Sequence, residues 1–147
     1  MSEVTTIIER HNEFFKSNKT LDIKYRLRYL KALYSAIQNN LSELHEGLKL
    51  DLGKSAYEGY MTETGLVLTE LSHLIKSLPK YVRPQKIKTP ITQFPAKSYR
   101  IPCPYGTVLI MNPWNYPFLL SKNPLIEAIA AGNTVILKLS AYSPNVN

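Results

Sequence analysis

The chain has 147 residues and a formal charge of +7, with 44% hydrophobic and 20% charged residues. That is enough chain for one ordinary domain and too apolar for a disordered segment. It has no apolar run of the ~18 residues a membrane span needs, no signal-peptide core behind a basic start, and one cysteine, Cys103, so a reducing, cytoplasmic setting is expected.

Val4, Ile7, Ile8, His11, Phe14 and Phe15 follow helical spacing and predict an amphipathic helix over 3–16. Ile23, Leu27, Leu30, Tyr34, Ile37, Leu41, Leu44 and Leu48 then step by three and four. They predict a second helix of about 28 residues, capped by Thr20 or Asp22, with Asn39-Asn40 as the place for an irregularity. A third helix is predicted from about Tyr57 to Leu78, with Met61, Leu68, Leu71, Ile75 and Leu78 facing inward and Pro79 ending it. His11, His45 and His73 are far apart and, with Cys103, form no metal-ligand spacing. His45 and His73 read as surface or satisfied polar positions.

Residues 79–103 change character. Pro79, Pro84, Pro90 and Pro95 alternate with lysines and arginines, which blocks helix and central strand and predicts an extended connector. Within it, Lys97–Pro102 reads as a short edge strand or half of a two-stranded arm. No acidic residue falls between Leu71 and Ile126. That charge admits a basic helical nucleic-acid binder as one alternative, but no nucleic-acid motif accompanies it, so a solvated connector is the better reading and no nucleic-acid partner is expected.

From residue 104 the chain alternates strand and helix. Thr107–Met111 is an apolar run, Asn112–Phe118 a Pro- and aromatic-rich turn, then an apolar helix, Gly132-Asn133, and a second apolar run, Thr134–Leu137. Both runs are continuous, which suits strands buried on both faces of a parallel sheet. Ligands of such sheets sit beyond the carboxyl ends of the strands. Here those ends carry Asn112–Pro117 and Lys138-Leu139-Ser140.

PYGTVLIMNPWNYPF, followed by PLIEAIAAGNTVILKLS, resembles the start of the cofactor domain of aldehyde dehydrogenases. The upstream helices, the DLGKS segment and the basic connector carrying KTP are similar to the short-N-terminus, class 3 type. The resemblance covers the whole chain but only the front third of a complete member. It implies an incomplete α/β fold: N-terminal helices (1–78), the connector and edge strand (79–103), and the start of a Rossmann-like dinucleotide-binding domain (104–147). It implies oxidation of an aldehyde to a carboxylic acid through a thioester, with NAD or NADP as cofactor and a homodimer as the complete protein. By the same resemblance Asn115 is the side-chain donor to the developing oxyanion. Ile110, Met111, Asn112, Pro113 and Trp114 line the cofactor with backbone, Lys138 takes its ribose, Ser140 is a further cofactor-binding residue, and Tyr116 sits beside the aldehyde tunnel.

Two departures matter. The family reads K-P-S-E where this chain has Lys138-Leu139-Ser140-Ala141, and the missing carboxylate implies tolerance of NADP. The family's nucleophilic cysteine, general-base glutamate and Gly-rich turn are not among these residues, and Cys103, between two prolines, has no activating neighbour. The 147-residue chain alone is therefore expected to be inactive. A non-catalytic fragment that docks onto full-length subunits is a further alternative.

Overall fold

The computed structural model of the protein describes residues 3–146. Helix α1 spans Glu3–Lys16. Helix α2, Ile23–Asn39, starts at Asp22, whose Oδ1 accepts the Lys24 amide at 3.0 Å. Thr20 is not the cap; it lies buried in a 3-10 turn, Lys19–Leu21. The long apolar stripe is observed, with Leu30, Ile37 and Leu48 buried and Ile23, Leu27, Tyr34, Leu41 and Leu44 packed against them. It is carried by two helices rather than one, because Asn40 leaves helical geometry and α3 begins at Leu41 and runs to Leu52. The Asn40 side chain donates to the Ala36 carbonyl at 2.7 Å, a local bond that competes with the backbone ladder.

The third helical stretch is continuous but irregular: α4 (Ala56–Gly59), a π-turn (Tyr60–Thr64) and α5 (Gly65–Tyr81). Two expectations fail here for identifiable reasons. Pro79 lies inside α5 instead of ending it, because in the last turn it forfeits only one amide donor and Val82 still donates to Leu78 O at 3.2 Å. The π-turn inserts residues that rotate the stripe, so Met61 is 53% exposed while Val67 and Leu74 join Leu68, Leu71 and Leu78 inside.

The connector forms the expected two-stranded arm: β1 (Gln85–Ile87) pairs antiparallel with β2 (Ser98–Arg100). Beyond it, β3 (Thr107–Met111) and β4 (Thr134–Lys138) are parallel, in register from Thr107 opposite Thr134 to Met111 opposite Lys138, and α6 (Pro117–Ala131) crosses between them. The Asn133 side chain accepts the Gly106 amide at 2.9 Å and the Thr134 amide donates to Gly106 O at 3.0 Å, which laces the starts of both strands. Helix α6 packs on α2, α5 and both strands, and the core lies where these meet, around Leu30, Leu71 and Ile126. Burial of the strands on both faces is not reached. Leu109 and Met111 remain 60% and 69% exposed, since α1 reaches β3 at its beginning, where Thr107 Oγ1 meets Asn12 Oδ1 at 2.7 Å. Among the described residues no helix is long and apolar enough to cross a membrane, and no group of three metal-binding side chains occurs.

Candidate functional site

The loop after β3 is closed by its own side chains. Pro113 cannot donate to a strand ladder, so β3 ends, and Pro117 starts α6 at the one helical turn where a missing amide hydrogen costs nothing. Asn112, 8% exposed, donates its Nδ2 to Pro113 O at 3.2 Å and to Pro117 O at 3.3 Å, spanning the loop; its buried Oδ1 has no hydrogen-bond partner. The Asn112 amide donates to Lys138 O at 3.4 Å, joining loop and β4 end. Tyr116 takes φ 51°, ψ 51°, a left-handed conformation that costs a non-glycine residue about 1 kcal/mol or more.

Between these fixed points stand Trp114 and Asn115, both exposed. Among the described residues the Asn115 side-chain amide makes no hydrogen bond, so it faces outward with its donors free. Ile110, Met111, Asn112, Pro113 and Trp114 therefore come together with Lys138, exposed on the neighbouring strand end, at one edge of the sheet. Ser140 is buried, and its hydroxyl accepts the Tyr142 amide at 3.3 Å within the turn that follows β4. Ala141 is exposed.

Beneath the loop lies a buried ion pair that sequence reasoning missed. Glu63, fully buried, accepts from Lys54 Nζ at 2.6 Å, the Phe118 amide at 2.8 Å and the Leu119 amide at 3.1 Å. Lys54 Nζ also stands 4.0 Å from the centre of the Tyr116 ring. The available signal was weak: Lys54 ends the DLGK stretch, and Glu63 has Gly59 and Val67, not a base, four residues away on its helix. At the opposite end of α6, Arg26 Nη1 donates to Ala130 O at 2.7 Å and Nη2 to Leu21 O at 2.9 Å. Burial lowers the Arg26 pKa, with Asp22 opposing. Its signal was a charge between Ile23 and Leu30 on the inner stripe.

Cys103 is a free, exposed thiol before the start of β3, separated from the loop by about 13 Å of strand. His45 and His73 are satisfied polar positions, bonded to Thr64 Oγ1 at 3.0 Å and Tyr81 OH at 3.1 Å. A largely apolar cavity of about 580 Å³ between α1, α2 and α6 is lined by Phe14, Tyr25, Ile129 and Thr134 among others. It lies at the amino end of β4, the wrong end of a parallel sheet for a cofactor.

The model of the aldehyde dehydrogenase family matches residues 1–147. The chain belongs to the aldehyde dehydrogenase family. It is 47% identical over 133 residues to the 4,4'-diaponeurosporen-aldehyde dehydrogenase of Staphylococcus aureus, covering 90% of this chain and 29% of that protein. It is 42% identical to aldehyde dehydrogenase family 3 member F1 of Arabidopsis thaliana, covering 92% of this chain and 28% of that protein. A solved substrate-bound Staphylococcus aureus AldH superposes with a TM-score of 0.97 at 43% identity, over 99% of this chain and 32% of that one. The chain thus spans about a third of the length of the aldehyde dehydrogenases it matches. The family 3 relative accords with the class 3 character of the N-terminal helices, and the fold is the helical start and first strand–helix–strand unit of the family's α/β architecture.

Proposed function

We propose that these residues form the N-terminal part of an NAD(P)-dependent aldehyde dehydrogenase, homodimeric when complete, with a helical segment that runs to the end of α5 at Tyr81 rather than to 78, a connector to 103, and 104–147 as the start of the dinucleotide-binding domain. The observation that carries the reading is the Asn115 amide. It is exposed and without a partner, in a loop whose two ends are tied by Asn112, directly beyond a parallel strand. A preorganised amide of this kind suits an oxygen that turns negative when a thiolate adds to an aldehyde carbonyl. The carboxyl edge of β3 and β4 suits a dinucleotide: the exposed Lys138 ammonium is placed to meet ribose hydroxyls or phosphate. Backbone from Ile110 to Trp114 lines that edge, Ser140 shapes the turn beyond Lys138, and Tyr116 borders the aldehyde. When bound, NAD or NADP accepts the hydride. The thiol and the general base of the reaction are assigned to other parts of the complete enzyme.

The test is titration of the isotope-labelled chain with NAD+ and NADP+, followed by amide chemical shifts. Amide shifts confined to residues 110–112, 114 and 138–140, lost in Lys138→Ala, are expected; shifts elsewhere or none overturn the cofactor assignment. In an active enzyme containing this chain, Asn115→Ala should lower kcat by about 10²–10³-fold, and an unchanged kcat would remove the oxyanion role. The exposed apolar face of Leu109 and Met111 favours a second reading, docking onto a full-length subunit. Co-elution with the Staphylococcus aureus relative in size-exclusion chromatography would support it.

A further inference from the structure

The Lys54–Glu63 pair takes no part in the chemistry proposed for the loop, yet it reaches the ring of Tyr116, next to Asn115, and the amides of Phe118 and Leu119 just beyond it. The amino end of α6 has few donors to satisfy: Pro117 has no amide hydrogen, and the Leu120 amide already donates to Tyr116 O at 2.9 Å. The remaining two, Phe118 and Leu119, both go to Glu63 Oε2. The usual solution is a Ser, Thr or Asp at the residue before the helix. That residue here is Tyr116, in a left-handed conformation with no side-chain cap, and α6 has no acid in its first turn. Glu63, 55 residues earlier, supplies both the cap and the negative charge. Its second oxygen holds Lys54, whose ammonium faces the Tyr116 ring.

A pair this deep is a poor device for stability alone, because well-packed apolar residues of the same volume often do as well or better. What it adds is direction. We propose that Lys54 and Glu63 are positioning residues for the Asn115 loop. The carboxylate fixes where α6 begins, and the ammonium, shared between that carboxylate and the Tyr116 ring, holds the left-handed residue that aims Asn115 outward. The proposal rests on the oxyanion reading of Asn115 for its purpose, but not for its test.

Trp114 is the only tryptophan and adjoins Asn115, so its fluorescence reports on the loop. The 147-residue chain is compared with Glu63→Gln, Lys54→Met, the double variant and Lys54→Arg, with Arg26→Met as a destabilised control at the far end of α6. In Glu63→Gln and in the double variant, exchange of the Phe118 and Leu119 amides should quicken by about tenfold or more. Acrylamide quenching of Trp114, already half-exposed, should rise above the wild-type value, with far-UV circular dichroism unchanged. Lys54→Arg, which keeps the cation over the ring, should restore the wild-type signal. The double variant leaves no unpaired buried charge and should equal the single Glu63→Gln, as for two residues acting as a unit. It decides the matter if either single variant fails to fold. Wild-type quenching in the folded double variant, or the same rise in Arg26→Met, would overturn the proposal. None of these readouts needs turnover, so their failure leaves Asn115 as oxyanion donor untouched, and loss of that role would leave the clamp standing.

Discussion

Arg26 offers a sharp test of how α6 is held. Its side chain is buried, and its two terminal nitrogens serve the Ala130 carbonyl, at the end of α6, and the Leu21 carbonyl before α2. Arg26→Met keeps the apolar stem and removes both donors. The Ala130 acceptor is buried and the Leu21 acceptor partly so; leaving each unpaired costs about 1–3 kcal/mol. Part of that is offset, because burying a guanidinium with an unpartnered Nε is itself unfavourable. The net expectation is a loss of about 2–3 kcal/mol, or roughly 8–12 °C in Tm for a chain of this size. Urea and thermal unfolding followed by far-UV circular dichroism measure it. Arg28→Met is the control: Arg28 lies 5.1 Å from the exposed Tyr29 ring, and its loss should cost only about 0.5 kcal/mol. Arg26→Lys should recover part of the loss, since one ammonium does not bridge two carbonyls as a planar fork does. If Arg26→Met loses no more than Arg28→Met, the reasoning about α6 is wrong.

Other outcomes follow from the site and its surroundings. Ala141→Glu should shift cofactor preference of an enzyme containing this chain from NADP toward NAD, read as the ratio of the two kcat/KM values; an unmoved ratio removes position 141 from cofactor choice. The 147-residue chain mixed with NAD(P)+ and common aldehydes should give no absorbance at the NAD(P)H band, and clear turnover would contradict the assignment of the thiol elsewhere. Burial lowers the pKa of Lys122 from its ordinary 10.5. Its charged form is therefore disfavoured by folding, a penalty in force at neutral pH that is relieved as pH rises through the lowered value toward 10.5. Lys122→Met should thus be more stable than wild type near neutrality, with the difference shrinking toward that pH; a constant difference refutes the cause given.

The helical half was legible where one period ran undisturbed. The stripe from Ile23 to Leu48 needed only counting, and Asn40 was visible as its weak point. Met61 falls off the inner stripe because counting assumes one pitch, and the π-turn at Tyr60–Thr64 changes it without any residue that announces the change. Pro79 does not end α5, because proline's effect depends on how many turns follow it. The loop with Asn115 was readable from its motif and its prolines. Its support was not: Glu63 looks like an ordinary helical acid until the fold brings the amides of Phe118 and Leu119 to it. No local pattern encodes a contact across 55 residues.

Helix α6 carries no acid in its first turn and no base in its last; Glu63 meets one terminus and Arg26 the other. It is therefore gauged like a rod between two fixed jaws. Inserting or deleting a single residue would displace one end by about 1.5 Å and turn it by roughly 100°, taking either the amides or the Ala130 carbonyl out of reach. Changes of length belong to the connector that follows α5, residues 82–103, and the crossover helix can vary in side chain but not in span.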